Sequence, residues 1–327
     1  MTTGGWIDAP ERVSIGFWGR VSSSSPPPSP PGFPPVTPLF GPGSPAAPAE
    51  PALNGEIPAF LDLGGCPLYS VYHPARPVPA AGIAALIVPG LGVEQLTGYR
   101  SEVELARALA RHGIATIRFH PRGQGDSGGD SADLTLGSFA DDIRGVLAEL
   151  RRKSGAPEVV AVGIRLGALA LARVVAEGER FKALALWEPV EAPSDYFRSL
   201  LRGVLFSQVA QGERARLTVD EMLSTLEREG RVDVLGYYLH RALVASADRP
   251  LADRLAGFRG PALIVQIDPR RTLARSHQEL AETLRARGCE VEVREVRADV
   301  GWPFLQNPAW ESPELVNFTT EWIRALG

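Results

Sequence analysis

Lysine is nearly missing from these 327 residues. Only Lys153 and Lys182 interrupt an otherwise all-arginine set of 34 basic side chains. With 38 acidic residues the net charge is −4, which excludes a general electrostatic attraction to nucleic acid or to anionic membranes. The arginine bias fits a GC-rich genome and needs no arginine-specific function. Cysteine is equally scarce. Cys66 and Cys289 stand alone and far apart, which excludes a disulfide framework and suits small buried residues in a reducing compartment. No apolar run is long enough to span a bilayer, and no basic segment leads into an apolar one as in a secretory leader. The expectation is a cytoplasmic protein with no membrane span, no metal and no cofactor. Histidine is sparse too: His73, His112, His120, His240 and His277, with none after residue 277.

What is present divides in two. Residues 22–52 are rich in serine, proline and alanine, as in Ser22–Ser25, Pro26-Pro27-Pro28 and Pro34-Pro35. Such a stretch has too few apolar groups to offset the entropy of ordering. A disordered tail over 1–55 is expected, open to a protein partner that reads proline-rich chain. Trp6, Phe17 and Trp18 are its only large aromatic anchors before that stretch.

From residue 56 to 327 the pattern is regular. Phe60–Leu63 and Leu68–Tyr72 read as a hairpin joined through Gly64-Gly65. Buried strands are expected at Ala84–Val88, Ala115–Phe119, Val159–Val162, Ala183–Trp187, Ala262–Ile267 and Val291–Val296. Helical spacing covers Val103–Ala110, Phe139–Leu150, Ala168–Ala176 and Pro313–Leu326. Strands alternating with helices predict an α/β fold: a doubly wound, mostly parallel sheet. The interval of about 190–258 breaks that rhythm and reads as a helical insertion, with Leu239–Leu243 in one of its helices.

One five-residue run carries the chemistry. Gly163-Ile164-Arg165-Leu166-Gly167 follows a strand and opens a helix, the outline of a nucleophile elbow. Its central residue is arginine. A guanidinium stays protonated and offers only donors, so it cannot attack an acyl group. The Leu166 N–H at the helix start, and the Leu91 N–H in Val88-Pro89-Gly90-Leu91-Gly92, make an anion-accepting corner.

These features resemble the α/β-hydrolase superfamily, in its serine aminopeptidase-like group, over about residues 56–327. Gly90 and Leu91 fall at the oxyanion-loop position. Arg118–Ser127 is similar to the family run D-x-R-G-x-G-x-S, with His120 in place of its aspartate. The runs Gly163–Ala168, Leu186–Val190 and Asp233–Tyr237 resemble the second type of exosortase-associated hydrolase of bacterial exopolysaccharide clusters. The resemblance implies a cap at about 190–258. It also implies a serine at position 165 and a histidine in the loop Arg297–Phe304. Both are absent by residue type. Asp268 or Glu188 fills the place of the acid.

Several residues admit two readings. Arg165 either pairs with Glu188 or Asp268 and plugs the site, or receives a ligand carboxylate or phosphate, or stabilises charge electrostatically. His120 is either a hydrogen-bonded loop histidine or a displaced acid–base group working with Glu188 or Asp268. Ser127 reads as turn chemistry before nucleophile. Trp187 and Trp302 pack at strand ends or wall a pocket. The functional expectation is a hydrolase-like protein that binds a small acyl or anionic ligand, or assists a biosynthetic partner, without serine chemistry at the elbow. The alternatives are an enzyme using a non-serine route and a protein-interaction scaffold.

Overall fold

The computed structural model describes residues 55–76, 82–210, 212, 217–268, 273–297 and 312–327. The expected tail, apart from Gly55, and the loop carrying Trp302 lie outside the described residues.

The hairpin forms as read. β1 (Ile57–Leu63) pairs antiparallel with β2 (Cys66–His73). Gly64 and Gly65 turn it at φ 67° and 85°, where a side chain is disfavoured. Next in chain order come β3 (Ile83–Val88), β4 (Ala115–Phe119), β5 (Glu158–Ile164) and β6 (Ala183–Trp187). Together with β9 (Ala262–Ile267) and β10 (Val291–Val296) they complete an eight-stranded sheet, ordered β1-β2-β4-β3-β5-β6-β9-β10. β2 meets β4 antiparallel, and every later pairing in the sheet is parallel.

Both faces are covered, because the central strands are buried on both sides. On one face the apolar stripes of α2 (Leu136–Ser154) and α3 (Leu166–Ala176) pack on the sheet. On the other lie α1 (Val93–Arg111) and α9 (Pro313–Arg324), around Ile87, Val162 and Trp187. α1 begins at Val93, a full ten residues ahead of the expected Val103. The early turns escaped the pattern because their buried side chains are polar: Glu94, Gln95, Thr97, Ser101 and Glu102.

The interval between β6 and β9 is mixed, not purely helical. It holds α4 (Pro193–Ala210) and α5 (Val219–Glu229), then β7 (Arg231–Val234) paired with β8 (Tyr237–His240), and short helices α6 (Arg241–Ser246) and α7 (Leu251–Arg254). The expected helix through Leu239–Leu243 is therefore split at His240. Val232, Val234 and Leu239 are buried with the period of a strand, and Leu235-Gly236 turns the hairpin at φ 54° and 89°. A further helix, α8 (Arg275–Ala286), links β9 to β10.

Glu102 is 1% exposed and its Oε1 has no hydrogen-bond partner among the described residues. Burial pushes its pKa up to about 8 from an ordinary 4.5, against a pull from Arg118. The folded state thus keeps a proton that the unfolded chain releases, so stability present below pH 4.5 is lost as pH rises toward 8. Glu102→Gln removes that loss. The variant is expected to be more stable than the parent by about 3 kcal/mol at pH 7, with the gap closing toward pH 4.5. Urea unfolding at the two pH values measures it; parallel pH slopes would contradict it.

Candidate functional site

The elbow is built as its glycines require. Arg165 joins β5 to α3 at φ 51° and ψ −123°, a strained conformation for a side chain-bearing residue. A Cβ on Gly163 would stand 2.7 Å from Ala168 Cα, and one on Gly167 would stand 2.2 Å from the Pro89 carbonyl oxygen. Backbone passes too close at both places for anything but glycine. The Arg165 N–H donates to the Trp187 carbonyl at 3.0 Å and ties the turn to the end of β6.

The guanidinium turns onto a carboxylate that the sequence did not single out. Arg165 Nε and Nη2 both lie 2.9 Å from Glu94 Oε1. Glu94 is fully buried in the first turn of α1, and its Oε2 accepts from Tyr196 Oη at 2.7 Å. The Tyr196 ring also lies under the guanidinium, 5.3 Å from centroid to Cζ. The expected partner Glu188 is secondary. Its carbonyl accepts from Arg165 Nη1 at 3.2 Å, and its carboxylate is 3.9 Å away. Burial opposes the arginine's charge most, but Glu94, Tyr196 and Glu188 together hold its pKa above the ordinary value. Glu94 went unnoticed because charge order along the chain does not show that a helix's first turn will face an elbow 71 residues on.

Glu188 itself, at φ 44°, accepts from the Ile267 N–H on the neighbouring strand. Burial raises its pKa, with Arg165 pulling the other way. The Asp268 N–H donates to the Val296 carbonyl at the end of β10, and its charge adds to the upward push on Glu188. Behind them sits His277, 4.0 Å from Glu188 Oε2 and 3.3 Å from Glu191 Oε1 through Nε2. Burial, then Arg165, lower the His277 pKa to about 4, while burial raises Glu191 to about 7. His277 is therefore a neutral ring at physiological pH.

His120 stands apart from that cluster. Its Nδ1 accepts the Asp126 N–H at 3.0 Å, which leaves the proton of the neutral ring on Nε2. The ring lies between Tyr69 and Tyr99, at 5.0 and 5.6 Å, and burial lowers its pKa. Among the described residues it touches neither Glu188 nor Asp268. Ser127 serves the turn, with its hydroxyl donating to the His120 carbonyl and accepting the Tyr69 N–H at 2.9 Å. Trp187 is 1% exposed and donates to Thr319 at 3.1 Å, so among the described residues it packs on the α9 side of the core.

A slot opens beside the elbow. Leu91 and Leu166 line it together with Gln124, Leu134, Tyr196 and Phe197. Val234, Leu239 and Leu243 from the insertion complete its wall. Neither the Leu91 N–H nor the Leu166 N–H donates to another described residue. The cavity is only about 50 Å³, room for three or four water-sized groups. Its walls are mostly aliphatic and aromatic, as suits a short apolar group with an oxygen at one end. Two hydrogen-bonding side chains that the sequence did not pair also line it: Ser131 Oγ and His240 Nε2, 3.0 Å apart.

Comparison with known proteins agrees with this architecture. Est1E from Butyrivibrio proteoclasticus with ferulic acid bound is 18% identical, with a TM-score of 0.57, covering 81% of this chain and 96% of that one. A putative hydrolase from Agrobacterium vitis is 17% identical with a TM-score of 0.54, covering 83% and 97%. The mouse alpha/beta hydrolase domain-containing protein 10 is 15% identical with a TM-score of 0.52, covering 83% and 98%. No curated protein sequence matches this chain. Among the described residues no helix is long and apolar enough to cross a membrane. The chain has the α/β-hydrolase fold, and its residues 86–228 match the family model described as serine aminopeptidase, S33.

Proposed function

We propose that this protein is a hydrolase-type chain whose elbow has given up nucleophilic chemistry and whose slot holds a short acyl group. One observation carries the reading: an apolar slot of about 50 Å³ with the unengaged Leu91 and Leu166 N–H groups beside it. Two donors of that kind suit a carboxylate or carbonyl oxygen, and the helix dipole of α3 adds to them. Arg165 supports the same reading from the other side. Its charge is spent on Glu94, so it acts as an internal plug and not as the ligand's counter-ion. The exosortase-associated likeness of the elbow supports a role in assisting bacterial exopolysaccharide synthesis. The proline-rich tail then serves as the tether to a protein partner.

Titrating butyrate into the full chain, followed by calorimetry, tests the slot. Saturable binding is expected, and Leu243→Trp is expected to abolish it by filling the cavity without touching the elbow. Absence of binding, or binding that survives Leu243→Trp, would sink the proposal.

A further inference from the structure

Ser131 and His240 are 109 residues apart and meet only because the hairpin β7–β8 folds over the loop after β4. Ser131 opens a short 3-10 turn (Ser131–Asp133) that is braced from both ends. Asp130 accepts the Ala132 N–H at 2.8 Å, and Asp133 accepts the Asp130 N–H at 3.3 Å. The hydroxyl itself takes no part in that bracing. Its other contact is Asp130 Oδ1, at the distance limit of 3.5 Å. Neighbouring serines differ. The hydroxyls of Ser127, Ser138 and Ser246 are all committed to backbone groups. Ser131 is thus the hydroxyl on this face that an imidazole, and not the main chain, holds.

The surroundings add a direction. Both residues line the slot beside Leu91 and Leu166. His240 also lines an open cleft of about 540 Å³ with Ala132, Gly230, Arg241 and Ala245. The pair therefore stands where a small, apolar compartment meets a wide one open to solvent. We infer that Ser131 and His240 form a serine–histidine dyad acting on esters whose acyl part is short and whose alcohol part is larger. This rests on the slot being an acyl site, as proposed above, and leaves the elbow without a nucleophilic role.

The chemistry balances with the groups present. With the ring proton on Nδ1, His240 Nε2 accepts the Ser131 Oγ–H. As Oγ attacks the ester carbonyl, that proton passes to Nε2, and negative charge builds on the carbonyl oxygen. The ester C–O bond then breaks, and the departing alcohol takes the proton from His240. Water next attacks the Ser131 ester, gives a proton to His240, and the acid leaves as Oγ recovers its proton. No metal, redox partner or further co-reactant is required.

The test uses p-nitrophenyl acetate with the full-length protein and maps the acetylated peptide by mass spectrometry. Acetylation at Ser131 is expected, absent in Ser131→Ala. His240→Gln keeps a hydrogen-bonding side chain on β8 but removes the base. It is expected to slow acetylation by about 100-fold or more with an unchanged melting temperature. A latch holding the insertion shut would not show that pattern, since glutamine preserves the contact. No acetylation, acetylation at another serine, or a His240→Gln rate equal to the parent's each overturns the dyad. Butyrate binding separates the two proposals. Binding retained by Ser131→Ala together with no acetylation in the parent refutes the dyad alone, and loss of both refutes the slot as well.

Discussion

Arg165→Ala is expected to destabilise the protein by about 3–5 kcal/mol, the cost of leaving one partner of a buried pair alone. Glu94 has no exposed surface, and Arg165 supplies two of its contacts at 2.9 Å. Among the described residues, only the Tyr196 hydroxyl, at 2.7 Å, would then face the stranded carboxylate. Adding Glu94→Gln should return most of the loss, because a neutral amide needs no counter-charge. The double-mutant cycle, measured by chemical unfolding, isolates the pair. Independent, additive losses would show that Glu94 and Arg165 are not coupled. The same result would reopen the reading of Arg165 as a ligand receptor. Arg165→Ser follows from the same geometry. It removes the cation and sets a hydroxyl on the elbow, but His277 is held to Gln266 Oε1 through Nδ1 at 3.2 Å and His120 Nδ1 is taken by the Asp126 N–H. No gain of ester hydrolysis at position 165 is expected.

The second large effect concerns Gly167→Ala, where a single methyl group meets backbone. Its Cβ would lie 2.2 Å from the Pro89 oxygen and 2.7 Å from the Val88 oxygen. Neither can swing aside as a flexible side chain would, so α3 must move away from the end of β3. A loss of at least about 3 kcal/mol is expected, at or above the upper end of overpacking penalties. The displacement also shifts the Leu166 N–H, so butyrate binding should fall more than stability alone explains. Gly155→Ala is the control. That glycine has positive φ, at 63°, where Gly167 is helical, and nothing lies within 4 Å of the added methyl, so only local backbone strain applies. Equal destabilisation by the two substitutions would show that close approach at the elbow is not what glycine is there for.

The slot and the cluster behind Arg165 were legible to different degrees. Gly163, Arg165, Leu166 and Gly167 announced themselves, since glycines flanking one residue between an apolar strand and an apolar helix leave few geometries open. Gly90 and Leu91 take their place from the family resemblance, at the end of a buried strand. Glu94 was not, because the early turns of α1 bury polar side chains and so carry no apolar period. Ser131 carries no local signal, whereas Ser127 lies inside the loop motif yet is tied to main chain at both lone pair and proton. Trp187 faces α9 although it ends a strand that points at the site.

The sequence by itself determined the alternation of strands and helices, the place of the elbow, and the absence of a serine and a late histidine from their expected positions. Those are statements about residue type and local period, which neighbouring residues fix without help. Tertiary structure alone decided which carboxylate meets Arg165, which face Trp187 takes, and that Ser131 meets His240. Each is a contact between segments far apart in the chain. Its partners are chosen by sheet order and by how the insertion folds back, and neither leaves a trace in local periodicity.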